Sequence, residues 1–337
     1  MSDAVASIRT SRGPWATALR RLSRDKAAMA CLAIFCLIVV LSLLAPAYAS
    51  FANTDPFRSS LDATVEINGV EVPVMEESTE GLALGYTPIG PTWQLGNYFL
   101  GADNQGRDVM ARLLYGGLNS LLISGAATII TMVLATAIGL TAGFFGGMTD
   151  TILSRILDVL WAFPVYLLAI SLSIVLIAQG IDLGIIVVEA GSLWLPIFII
   201  AIVYIPYIAR PIRGQVLALR RSEFVLAAIG LGVPEHRILL RDILPNVSTT
   251  LIVFTPLMLA INMLTESALS FLSIGVQPPD ASWGTIIQDG QGLLYTRPMV
   301  ALAPGLAIAL TVLVLNILGD GVRDALDPRS KIKLGGD

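Results

Sequence analysis

Charge is scarce in this chain of 337 residues: Asp, Glu, Lys and Arg make up 14%, against 55% hydrophobic residues. A soluble domain carries about 25% charged residues, so a membrane protein is expected instead. Lysine is scarcer still. Lys26, Lys331 and Lys333 are the only three; none follows a glycine, which excludes a Walker A phosphate loop. One histidine, His236, and two cysteines, Cys31 and Cys36, do not make a zinc cluster. No Gly-x-Ser-x-Gly elbow or other nucleophile constellation occurs, so neither catalysis nor a bound cofactor or metal is expected of this chain, and no nucleic-acid partner. The two cysteines lie five apart in an apolar run and so on different helix faces. A disulfide between them is geometrically implausible, and they read as inert core thiols.

What is abundant is long apolar sequence. About 20 apolar residues cross a bilayer as a helix, and six uncharged runs lie within 27–54, 113–149, 159–181, 190–209, 243–265 and 298–319. Six crossings of an all-α membrane protein are expected. The first run, preceded by arginines and followed by "PAYAS", has the look of a secretory signal. Its apolar part, Ala27 to Ala45, exceeds the roughly 7–15 residues of a signal core, which favours a retained anchor helix. Of the 21 Lys and Arg residues, 17 fall in 1–26, 147–155, 210–242 and 320–337. By the positive-inside rule those segments, and both termini, are expected in the cytoplasm.

The expected organisation is a cytoplasmic segment 1–26, a first transmembrane helix 27–50, an extracytoplasmic insertion 51–100, a core 101–320 and a cytoplasmic tail 321–337. In the insertion, "ATVEINGVEVPV" alternates around Asn68-Gly69, a strong signal for a β-hairpin. Residues 101–117 read as a surface-lying helix capped by Asp103 or Asn104, with Asp108 and Arg112 as an i,i+4 pair. Gly139, Gly143 and Gly147, four apart, offer a stripe for close helix approach. Pro164, Pro196, Pro206, Pro256 and Pro304 punctuate the spans and are expected to kink them. Asp158 and Glu266 are carboxylates in or beside apolar runs, where a charge must face the bundle interior and find a partner. Glu266, near Asn262, is a candidate for lining a polar path; a purely structural contact is the alternative for both.

The most informative stretch is "SEFVLAAIGLGVPEHRILLRDILPN", residues 222–246. Phe224, Ala227, Ala228 and Leu231 fall at i, i+3, i+4 and i+7, on one helix face. Gly232 suits the left-handed turn after a helix and Pro234 the first position of the next. The expectation is two short helices at an angle, too short to span, with an apolar saddle that must be covered by the bundle, by lipid, or by a groove on another protein.

This layout, an alanine pair with Gly232 four residues after Ala228 and Leu244-Pro245 beyond it, resembles the coupling loop (210–246 here) of ATP-binding-cassette importer permeases. "LGADNQGRDVMARLLYG", "ESALSFLSIGVQPPDASWGTIIQDG" and "LNILGDGVRDALDPR" resemble the dipeptide and oligopeptide branch of that family. The pattern departs from the family at Leu226, where a glutamate is usual, and at Asp242, where an isoleucine is usual; Glu223 is one turn earlier. The resemblance implies the type I importer permease fold and a heterodimer with a homologous permease in a bacterial cytoplasmic membrane. It implies two ATPase subunits, which would hold ATP and Mg, and an extracytoplasmic binding protein. Glu223, Phe224, Ala227, Ala228, Leu231, Gly232 and Pro245 would contact the ATPase. The implied cargo is short peptides, with nickel complexes, glutathione or modified peptides as alternatives. A secondary transporter would show paired internal repeats, and none is evident.

Overall fold

The computed structural model describes residues 14–67, 69–77, 85–182, 187–189 and 191–327. In chain order the elements are α1 (Pro14–Leu22), α2 (Lys26–Leu43), α3 (Ala45–Ala52), β1 (Thr64–Ile67), β2 (Val70–Pro73), β3 (Met75–Glu77) and β4 (Tyr86–Pro88). Next come α4 (Val109–Phe145), α5 (Gly147–Trp161), α6 (Val165–Gln179), β5 (Ile181–Asp182), β6 (Val187–Val188) and α7 (Trp194–Leu219). The last are α8 (Glu223–Gly230), α9 (Glu235–Arg237), α10 (Leu244–Phe271), α11 (Trp283–Gly290) and α12 (Met299–Leu326).

Among the described residues five helices are long and apolar enough to cross a membrane: α2, α4, α7, the continuous run Glu235–Phe271, and α12. The expected third span is different. It is a pair, α5 and α6, bent by 88° at Ala162–Pro164, and counting the pair as one crossing gives six. Pro164 stands at the N-cap of α6 and disfavours helix at the residue before it, which puts the corner there. Other expectations also shift. Residues 101–117 hold no separate surface helix: α4 starts at Val109 and runs 37 residues, capped by Asp108 rather than Asp103 or Asn104. Cys31 is buried but Cys36 is exposed, so only the first is a core thiol.

The bundle is organised around α4 and α7, which pack parallel. Thr131 Oγ1 donates to Ala201 O at 3.1 Å, Gly139 faces Ala209 and Ile212, and Gly143 faces Arg213 and Val216. A β-carbon on Gly139 would lie 2.7 Å from Ile212 Cγ2, and one on Gly143 would lie 2.8 Å from Val216 Cβ. The small-residue stripe is therefore a seat for α7. Gly147 is not part of it: with Gly146 it makes the α4–α5 corner at φ of +54° and +66°. Gly143→Val should destabilise the bundle by about 1–3 kcal/mol through overpacking. The check is thermal unfolding in detergent against Gly125→Val, since nothing lies within 4 Å of a β-carbon at Gly125.

The two ends of the bundle differ. At one end lie α8 and both described chain ends, where Arg21 Nη1 donates to Asp327 O at 3.2 Å. At the other lies the insertion. Its β1–β2 hairpin pairs Ile67 with Val70, as the alternation predicts, although Asn68 of the turn falls outside the described residues. A second antiparallel pair, β3–β4, brings Met75 opposite Pro88, over a small core of Val65, Val74, Ile89, Tyr98 and Ala102. Arg297, two residues before α12, fastens this unit: its Nε donates to Pro88 O at 2.5 Å, and its Nη2 is 3.8 Å from Glu76 Oε2.

Candidate coupling surface and the buried polar core

Arg220 ends α7, and Ser222, with extended φ and ψ, starts α8. Glu223 sits exposed in the first turn of α8, where a carboxylate complements the helix dipole. Val225 is wholly buried and Ala228 is half-buried against the core; they anchor the helix. The remaining apolar side chains face outward: Phe224, Leu226, Ile229 and, at 83% exposure, Leu231. Ala227 is exposed as well. Phe224, Leu226, Ala227, Ile229 and Leu231 are thus not tucked into the chain's own spans, while Val225 and Ala228 are.

The turn after α8 is closed by crossing backbone bonds, Gly232 N to Ile229 O at 2.9 Å and Val233 N to Ala228 O at 3.1 Å. Gly232 lies at φ +75°, a conformation that glycine adopts without strain. Pro234 occupies the cap just before α9 rather than its first position. The segment beyond is not a second short helix. α9 continues through a π-helical turn, Ile238–Ile243, into α10. Pro245, exposed in the first turn of α10, has no N–H to return to Arg241, and it stands where the wide turn ends. α8 is therefore carried directly on the end of a spanning helix.

Sequence reasoning placed the exposed face at Phe224, Ala227, Ala228 and Leu231 and missed Leu226 and Ile229. The segment Glu223–Gly230 is apolar all round after its first residue, so periodicity alone cannot select the inward side. Only the burial of Val225 does.

Arginines surround the α8 end. Arg213 makes a bidentate pair with Asp150 of α5. Arg210 reaches Asp158 at 2.8 Å and lies 4.8 Å above the Trp161 ring. Asp158 thus finds its partner within the chain and is half exposed.

Glu266 and Asn262 sit deep in α10, both with no exposed surface. Glu266 accepts hydrogen bonds from Ser270 Oγ at 2.8 Å and Ser267 Oγ at 3.3 Å. Ser120 Oγ of α4 accepts from Trp283 N at 3.1 Å, which ties α4 to the start of α11. Asn262 Nδ2 donates to Thr128 Oγ1 at 2.9 Å, while its Oδ1 is buried without a partner.

At the insertion end, two arginines and two aspartates form a network that the sequence did not reveal. Arg107 Nε is 2.7 Å and Arg112 Nε 3.2 Å from Asp103 Oδ2; Arg107 Nη2 and Arg112 Nη2 reach Asp289 Oδ2 at 2.9 and 2.8 Å. The expected Asp108–Arg112 pair is absent: Asp108 Oδ1 accepts from the amides of Met110 and Ala111, its Oδ2 is buried without a partner, and Arg112 turns to Asp103 and Asp289. Burial pushes the Asp108 carboxyl up to about 6, against those two N–H groups. Burial also raises Asp289 above the usual carboxylate range, outweighing Arg112 and Arg107. Asp289 lies 177 residues from Arg112 in the chain, and no local pattern announces such a pairing.

Several apolar helices long enough to cross a membrane, one buried carboxylate bonded by hydroxyls and an apolar helix turned outward at one end describe a polytopic α-helical membrane protein. The model of the family "binding-protein-dependent transport system inner membrane component" matches residues 135–332, and that of the "N-terminal TM domain of oligopeptide transport permease C" matches residues 13–62. The oligopeptide transport system permease protein OppC of Haemophilus influenzae is 34% identical over 95% of this chain and 90% of its own length. The dipeptide transport system permease protein DppC of Alkalihalophilus pseudofirmus is 32% identical over 96% and 92%. The glutathione transport system permease protein GsiD of Pectobacterium atrosepticum is 38% identical over 69% and 73%. An inward-facing structure of the MetNI methionine ABC transporter superposes with a TM-score of 0.52 at 16% identity, covering 65% of this chain and 98% of that one; it supports the fold alone. The chain belongs to the inner-membrane permease family of binding-protein-dependent ABC transport systems, in the oligopeptide and dipeptide permease branch, and has the type I importer permease fold.

Proposed function

We propose that this chain is one half of the translocation path of an ATP-driven importer and that α8 is the helix its ATPase grips. The observation that carries the reading is the apolar face of α8, turned outward at the end of a spanning helix while Val225 and Ala228 fix its seat. Isolated apolar surface of this kind marks an interaction site, and a short helix presenting i, i+3, i+4 and i+7 anchors fits a groove on another protein. Phe224, Ala227, Leu231 and the flanking Glu223 would make the contact, with Gly232 and Pro245 shaping the elbow and Ala228 backing it. ATP and Mg would be held by the ATPase subunits, two per transporter.

The same reading places both termini in the cytoplasm, because the α8 end gathers the arginines. It places an extracytoplasmic binding protein over the insertion end and a homologous permease alongside. Short peptides are the cargo that the relatives' names support. Co-expression with candidate ATPase subunits, followed by purification through a tag on this chain, tests the reading. Stoichiometric recovery of an ATPase is expected; its repeated absence would favour a secondary transporter.

Asn262 and Glu266 carry a second role in this reading, as part of the path. The unpartnered Asn262 Oδ1 is an acceptor that the present arrangement leaves unsatisfied, which another conformation could satisfy. Glu266→Gln should then alter peptide uptake while leaving the amount of assembled transporter unchanged. If the variant simply fails to assemble, the serine cage is a folding anchor and the path role is lost.

A further inference from the structure

The short helix before the first span uses only one edge for packing. α1 sits on α12 through Ala18, which is buried, and through Leu22, whose Cδ1 lies 3.6 Å from where a β-carbon on Gly321 would stand. Arg21 Nη1, donating to Asp327 O, ties the same two helices. The other edge is turned away from the protein. Trp15 is half exposed and Leu19 is 71% exposed; four residues apart, they stack on one face. Arg20, and Arg24 in the turn that follows, are exposed as well, and neither makes an ion pair among the described residues.

The depth of this helix follows from the span behind it. Only Ser23, Arg24 and Asp25 separate α1 from α2, a reach of about 10 Å at most. Asp25 breaks the helix there: its backbone is extended, and its Oδ1 accepts from Ala27 N at 2.9 Å and Ala28 N at 3.1 Å. No charge occurs from Ala27 to Ala45, so hydrocarbon begins at the first turn of α2 and Lys26 lies at its edge. The last turn of α1, Leu19 to Leu22, is therefore at headgroup level.

Charge at this corner is mostly of one sign. Of the acidic side chains at the end of α12, Asp320 and Asp327 line the cavity toward α10, and the Asp25 carboxylate is engaged in capping α2. That leaves Asp324 against Arg20, Arg21, Arg24 and Lys26. An exposed tryptophan and leucine beside an excess of arginine, held at the edge of hydrocarbon, is the pattern of a helix lying in a bilayer surface. Guanidinium groups take phosphate oxygens two at a time, which suits them to phospholipid headgroups.

We propose that α1 is an interfacial anchor for anionic phospholipid: Trp15 and Leu19 enter the acyl boundary of the adjoining leaflet, and Arg20, Arg24 and Lys26 hold the headgroup phosphates. The anchor stands on this chain and the bilayer alone, so failure to capture an ATPase would leave it intact.

Two measurements on the full chain test it. The first places a nitroxide at Leu19, with Cys31 and Cys36 replaced by alanine, in nanodiscs of phosphatidylcholine and phosphatidylglycerol. Its collisions with oxygen, which partitions into lipid, and with a nickel chelate, which stays in water, are compared with those of a nitroxide at Leu61, exposed in the insertion region. The ratio of oxygen to nickel collisions should be several-fold higher at Leu19. A Leu19 label as open to nickel as the Leu61 label would overturn the proposal. So would one screened from both reagents, because protein and not lipid would then cover the face. The second measurement titrates the chain with phosphatidylglycerol or phosphatidylcholine and reads bound lipid by native mass spectrometry. Phosphatidylglycerol should bind more tightly. Arg20→Gln combined with Arg24→Gln should weaken it about 25-fold, roughly fivefold for each arginine at the membrane surface, with phosphatidylcholine binding unchanged. Arg58→Gln, exposed at the insertion end, is the control. Equal binding of the two lipids by the wild type, or undiminished phosphatidylglycerol binding by the double variant, would overturn the proposal.

Discussion

Leu231→Asp should release the ATPase from this subunit while the subunit itself inserts and folds as before. Leu231 is 83% exposed, so the chain's own packing loses little by the change. In a docked complex the same side chain would be buried, and losing a buried leucine weakens binding roughly 10- to 100-fold; the added carboxylate opposes docking further. Gly232→Pro should act at the same place by another route. The backbone at φ +75° is closed to proline, and the bond from Gly232 N to Ile229 O would vanish with the N–H. The measurement is ATPase recovered per mole of purified subunit, with Leu61→Asp, an exposed leucine in the insertion region, as the control. Undiminished recovery with Leu231→Asp, at wild-type expression, would remove α8 from the coupling surface.

Arg112→Met should be among the most damaging single changes in the molecule. Arg112 and Asp103 are almost fully buried and Asp289 is largely so. Removing the cation leaves two carboxylates sharing Arg107, and breaking a buried pair in this way costs about 3–5 kcal/mol. Arg112 Nη1 also donates to Pro56 O at 3.1 Å, so the stretch leading into the insertion loosens with it. Thermal unfolding in detergent, with the exposed Arg58→Met as reference, measures the loss. Asp289→Asn added to Arg112→Met should restore part of it, since the second change removes an unpaired buried charge. A single variant as stable as Arg58→Met would show that the network is ornamental.

The sequence carried the outline of the fold because lipid enforces it. Uninterrupted apolar runs have few alternatives to spanning helices, and the arginine asymmetry groups their ends. The hairpin was legible for a local reason: alternation around Asn-Gly leaves one register, and Ile67 pairs with Val70 as that register requires. The bent α5–α6 pair was not legible, because an apolar run reads the same whether straight or turned, and Pro164 among several prolines carried no special mark. The proposed docking helix was half legible. Spacing gave the helix and Gly232 gave its end, but a helix apolar on every side cannot tell which of its faces the bundle takes. The Arg107, Arg112, Asp103 and Asp289 network was legible only as an i,i+4 pair, and wrongly so. Asp108 spends its oxygen on capping, and Arg112 turns to partners that proximity in sequence could not supply.

Arg297 has a consequence of its own. It stands two residues before the last span yet grips Pro88 and Glu76 of a unit inserted after the first. The inserted lobe is therefore strapped across the bundle like a buckle, and whatever tugs on the lobe also tugs on the start of α12. A cut anywhere between Glu77 and Tyr86 would leave both flaps riveted to the same post.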